Sequence, residues 1–195
     1  MKKITASALF LFALAFGFGC EQKNKPEDSV KVAENANEEK MDSTNTEEKE
    51  DQAEFMVKAA SGGMMEVALG KMAATQASNA EVKDFGQMMV TDHTKANAEM
   101  KALAATKNVT LPDVIGEEQQ KHIDKLSKLK GAEFDREYMS LMVDDHEEDI
   151  DHFKKAANDN DYDADVKALA SKTVPVLEKH LQHAKGVNDK VKNAK

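Results

Sequence analysis

The sequence predicts an all-α protein: an antiparallel four-helix bundle with one extra short helix, behind a secretion signal and a polar tether. Composition is the first support. Aromatics are 5%, Trp is absent and only two Tyr occur, so an all-β fold would lack its usual strand formers. Ala, Met, Leu, Lys and Glu, all good helix formers, dominate instead. The second support is periodicity: from Ala53 onward apolar residues recur near every 3.6 positions, in long stretches joined by short polar connections. The third is length, since 195 residues suit one domain plus extensions.

The elements follow in chain order. Lys2 and Lys3 precede an apolar, uncharged run from Ile4 to Phe18. That run is short for a transmembrane span and has the form of a signal-peptide core. It stops at Gly17-Phe18-Gly19-Cys20, which resembles a bacterial lipoprotein signal: residues 1–19 are removed and Cys20 is lipidated. Gly17 stands where that pattern prefers Leu, and the competing reading is an ordinary signal cleavage with Cys20 incidental. Acyl chains on Cys20 would give stable anchoring to a membrane. Glu21 rather than Asp follows, so the best-known inner-membrane retention signal is absent. The expected address is the bacterial envelope, on the periplasmic face of the outer membrane. Residues 20–52 read as a disordered acidic linker. Between 21 and 52 there are eleven acidic residues and five Lys, a net of −6, with almost no large apolar side chains.

The domain spans 53–192. Helices are predicted over about 54–77, 81–106, 117–129, 133–158 and 164–192, with Asn79 and Asp163 as N-caps and Pro112 helping to break the chain. Pro175 falls inside the last helix and is expected to kink it. Val82, Phe85, Met89, His93, Ala96, Met100 and Leu103 share one stripe; Met139, Met142, Val143, His146, Ile150, Phe153 and Ala157 share another. These two helices carry an internal repeat. Met89-Val90-x-Asp92-His93 matches Met142-Val143-x-Asp145-His146 at an offset of 53 residues, with Phe85 matching Tyr138 and Met100 matching Phe153. The two histidines are therefore expected to face the core from opposite sides.

Composition also excludes functions. A formal net charge of −9 argues against nucleic-acid binding, which needs a basic surface. A single cysteine excludes an intrachain disulfide framework and a multi-Cys zinc site. No Ser-His-Asp triad, P-loop or Rossmann glycine pattern is present.

The candidate chemistry lies on the helix stripes. Glu66 sits within GGMMEVALG, the only charge between Lys58 and Lys71, and Gly62, Gly63 and Gly70 around it allow close helix approach. A lone buried carboxylate must be protonated, paired or metal-bound. His93, His146 and His180 each occupy an apolar stripe, and His183 could share the face of His180. One ligand from each of four helices, Glu66, His93, His146 and His180, would suit Zn, Fe, Mn or Cu. The bland alternative is a set of hydrogen-bonded core residues. Asp92 and Asp145 precede the histidines by about 100° of helix turn, so they cannot point with them. They are candidates to receive a histidine N–H from an adjacent helix. His122 and His152, among charged residues, are expected to be exposed. Position i−3 is Val90 for His93, Val143 for His146 and Leu177 for His180, so the Glu-x-x-His pair of diiron-carboxylate bundles is missing. Asp149-x-x-His152 has that spacing once, on a polar face. Met89 and Met142, each four residues before a histidine, would suit copper, but Met also packs irregular cores well.

The runs FMVKAASGGMMEVALGKMAATQASNAEVKDFGQMMVTDHTKAN (55–97), FDREYMSLMVDDHEEDIDHF (134–153) and VPVLEKHLQHA (174–184) together resemble a bacterial domain-of-unknown-function family. Its members are often labelled outer-membrane proteins and have a ferritin-like helical bundle. The resemblance covers about 53–190 and implies that fold and an envelope location, but no activity and no metal. Glu66, Asp92, His93, Asp145, His146 and His180 fall on its signature positions. No alternating strands suggest a barrel. Three functional readings follow: an envelope-anchored binding or stress-protection protein with a core metal, a metalloenzyme acting on oxygen or peroxide species, or an interaction module with no metal.

Overall fold

A computed structural model describes residues 27–41 and 47–194. The signal segment 1–19, Cys20 and residues 21–26 and 42–46 of the expected linker lie outside the described residues. All described regular structure is helical: α1 (Ser29–Met41), α2 (Glu47–Gln76), α3 (Ala80–Lys107), α4 (Glu117–Leu126), α5 (Gly131–Asn158) and α6 (Ala164–Asn193). The four long helices are the bundle. α2 packs along α3 and α5 along α6, while α2 also meets α5 and α3 meets α6. No described helix is long and apolar enough to cross a membrane.

Local chemistry explains the boundaries. Asn79 caps α3, its side-chain oxygen accepting the Glu81 N–H at 2.8 Å. Buried Asp135 of α5 reaches the same corner and accepts from the backbone N–H groups of Ser78 and Asn79 at 3.1 and 3.0 Å. Asn108 ends α3 in the left-handed region (φ 56°), a conformation Asn tolerates. Gly131 opens α5 at φ 62°, where a Cβ would be strained. Asp163 precedes α6 but makes no side-chain cap; it binds Lys107 at 2.8 Å instead. α6 runs unbroken through Pro175.

The linker expectation needs correction. Residues 29–41 form α1, and α2 begins at Glu47, so two helical pieces fall inside the span read as disordered. Ala33, Asn37 and Met41, four residues apart, give α1 one buried stripe against the bundle. Asn37 fixes it by a reciprocal pair with the Thr110 backbone, accepting its N–H at 2.7 Å and donating to its carbonyl at 2.9 Å. Just before α1, Asp28 accepts the Glu117 N–H at 3.0 Å and so caps α4, whose own N-cap, Gly116, has no side chain.

The core is divided in a way that positions the site. One apolar cluster gathers Met65, Leu69, Phe85, Met89, Tyr138, Met142 and Ala184. Two others hold Ala60 and Met100, and Ile150, Phe153 and Leu177. Between these clusters, near the middle of each long helix, lie Glu66, His93, His146 and His180, all buried. α2 and α3 come together at glycines: a Cβ on Gly70 would lie 2.5 Å from the Gly86 carbonyl oxygen, and one on Gly86 2.6 Å from the Ala73 Cβ. Gly63 faces Asn97 just as tightly, whereas Gly62 faces open space and is not part of that close approach.

Candidate metal centre

Helix periodicity aims one side chain from each long helix at the bundle axis. The imidazoles of His93, His146 and His180 meet there, with ring centroids 5.8, 5.3 and 5.5 Å apart. One ring nitrogen from each lies within 4.8 Å of the others. Glu66, only 1% exposed, joins from α2. Its Oε2 is 2.6 Å from His93 Nδ1, and its Oε1 is 3.5 Å from His146 Nε2. From the far side, Asp92 Oδ2 accepts from His180 Nε2 at 2.9 Å. Asp92 thus takes a histidine N–H from a neighbouring helix, while its repeat partner Asp145 turns toward Glu66 and His146, within 4.8 Å of both.

These pairings leave an unusual set of buried atoms without hydrogen bonds: Glu66 Oε1, His93 Nε2, His146 Nε2, His180 Nδ1 and Asp145 Oδ2. Burial sets their charge. Loss of water lowers His93 to about 4 and His146 to about 3, the other histidines adding to the shift at His146 and a hydrogen bond to the Met142 backbone opposing it. His180 is lowered for the same reason, with Asp92 opposing. Burial raises Glu66 to about 8 and raises Asp145 as well, with Glu66 beside it. The imidazoles are therefore neutral near pH 7, and Glu66 holds a proton that it donates to His93 Nδ1.

Sequence reasoning placed Asp149 on a polar face, and the structure corrects this. Asp149 lines the cavity beside Glu66 and His93, and burial together with Glu66 raises it to about 8. Its signal was its spacing, one turn after both Asp145 and His146, hidden within a run of surface acids. Tyr138 was assigned only to the core, yet its hydroxyl is buried without a partner and is raised by burial and by Glu66 and Asp145. His183 is exposed and packs edge-on against Phe85, outside the trio. His152 is exposed as expected, while His122 is half-buried.

A cavity of about 50 Å³ reaches Glu66, His93 and His180 from the side of Asp92, Thr173 and Val176. A larger one of about 380 Å³ reaches Asp145 and Asp149 from the side of α1 and α4.

The family model described as Domain of unknown function (DUF4142) matches residues 36–187. The chain belongs to this family. The match begins within α1, so the DUF4142 domain reaches further toward the N-terminus than the resemblance from residue 53 implied. No curated protein and no solved structure matches the chain. The chemistry of this DUF4142 domain must therefore be argued from its own donor atoms.

Proposed function

We propose that this domain binds a transition-metal ion at mid-bundle through His93, His146 and His180. The observation that carries the reading is the set of orphaned ring nitrogens. Three buried imidazoles offer nitrogens within 4.8 Å of one another, and His93 Nε2, His180 Nδ1 and His146 Nε2 have no hydrogen bond. A core serving packing alone would not leave so many buried polar atoms unpaired, at about 1–3 kcal/mol each. Zn–N bonds of about 2.0–2.1 Å call for the nitrogens to draw together somewhat. Glu66 and Asp92 hold the opposite nitrogens of His93 and His180, the arrangement that fixes ring orientation in histidine metal sites. Zn, Fe, Mn or Cu would suit these donors, and the ion would supply a Lewis-acid centre.

The same reading places the domain at the bacterial envelope, held by lipid on Cys20, as a metal-binding or stress-protection protein. Lys2 and Lys3, the apolar run to Phe18 and the lone cysteine at its end support that location. A second reading, a metalloenzyme acting on oxygen or peroxide species, is favoured by the cavity of about 50 Å³ beside His93 and His180, which has room for a small ligand.

Loading the full chain with Co²⁺ tests the site, since the ion reports its ligands by visible absorption. Wild type is expected to show a stoichiometric band that His93→Ala and His180→Ala each abolish. No stoichiometric band in folded wild-type protein would rule out the trio as a metal site.

A further inference from the structure

The imidazole trio does not account for all the buried polar groups. Glu66, Asp145 and His146 form a second cluster, with one donor atom from each within 4.8 Å of the others. Glu66 is 1% exposed and His146 0%, yet Glu66 Oε1, Asp145 Oδ2 and His146 Nε2 lack partners. Asp149 follows Asp145 by one helical turn and lines both cavities.

Position separates this cluster from its neighbour. The trio is reached from the Asp92 side, through a cavity that Glu66 and Asp149 also line. Asp145 and Asp149 are reached through the cavity of about 380 Å³, whose walls carry five further carboxyl groups against two lysines. Such a wall raises the local concentration of cations.

We propose that the core holds a second cation site, formed by Glu66, Asp145 and Asp149 and adjoining the trio at His146, which takes a divalent ion favouring oxygen donors. It deepens the metal-binding reading and rests on that reading for the neighbouring ion, while its carboxylate donors are not among the trio's ligands.

Equilibrium dialysis of the full chain against Zn²⁺, with bound metal counted, tests it. Wild type is expected to retain two equivalents. Asp145→Asn should retain one and keep the Co²⁺ band of the trio; His180→Ala should retain one and lose that band. Asp149→Asn serves in place of Asp145→Asn if the latter loses its helical circular dichroism. A single equivalent, lost in His180→Ala and unchanged in Asp145→Asn, overturns the second site and leaves the trio standing. A single equivalent lost in Asp145→Asn but not in His180→Ala supports the carboxylate site and overturns the trio. No bound metal overturns both.

Discussion

Glu66 Oε2 and His93 Nδ1 lie 2.6 Å apart, and the position of the proton between them distinguishes the metal-free from the metal-bound protein. Burial raises the carboxyl to about 8 and lowers the imidazole to about 4, so near pH 7 Glu66 donates to Nδ1 and His93 carries its own hydrogen on Nε2. To offer Nε2 to an ion, His93 must lose that hydrogen and take the carboxyl's at Nδ1, and one proton leaves the pair. Glu66→Gln separates the two states. Its amide can donate to Nδ1 as the acid does, so the metal-free fold should lose less than about 1 kcal/mol. It cannot become an anion, so zinc affinity should fall by roughly 10–100-fold. Chemical denaturation and a competitive zinc titration read the two effects separately. At this scale the sequence disclosed much: the apolar stripes marked His93, His146 and His180, and the 100° turn between neighbours forced Asp92 toward another helix. It did not disclose Asp149, because Glu147, Glu148 and Asp151 surround it and only the rotation of α5 selects which acid turns inward. Nor could a stripe tell that Glu66 engages His93 with one oxygen and leaves the other unpaired.

At the scale of elements, the site depends on how closely α2 and α3 approach, since these helices carry Glu66 and His93. Gly70 and Gly86 set that spacing, and any Cβ there meets backbone or a neighbouring Cβ rather than a flexible side-chain tip. Gly86→Ala should therefore destabilise the domain by about 1–3 kcal/mol, although Ala is the better helix former. Urea denaturation checks the sign: a gain in stability would show that the helices part at no cost. The long helices were legible because each buries a wide apolar stripe. α1 was not, since only Ala33 and Met41 mark its inner face and the third member, Asn37, is polar. Its docking rests on hydrogen bonds to Thr110, a residue 73 positions away, which no local pattern reveals.

For the whole molecule, a dry polar layer across mid-bundle is a liability unless something fills it. The metal-free chain shows this through pH. Glu66 and Asp149 titrate near 8 when folded and near 4.5 and 3.8 when unfolded, so over the upper part of this range the folded state holds more protons and stability falls as pH rises. His93 and His146, at about 4 and 3 against 6.5 unfolded, act in the opposite sense only below about pH 6.5. Between pH 6.5 and 8 these groups therefore weaken the metal-free fold as pH rises. Metal capture by the trio releases the proton of the Glu66–His93 pair, so the ion should bind more tightly as pH rises through that window. The decisive measurement is the thermal midpoint of the full chain from pH 6.5 to 8, with and without Zn²⁺. Zinc at roughly 1,000 times its dissociation constant should add about 4 kcal/mol, an increase on the order of 10 °C. The account predicts that this gain grows toward pH 8 and shrinks when His93 and His180 are both replaced by Ala. A midpoint unmoved by Zn²⁺ at every pH, or moved equally in that double variant, would contradict it.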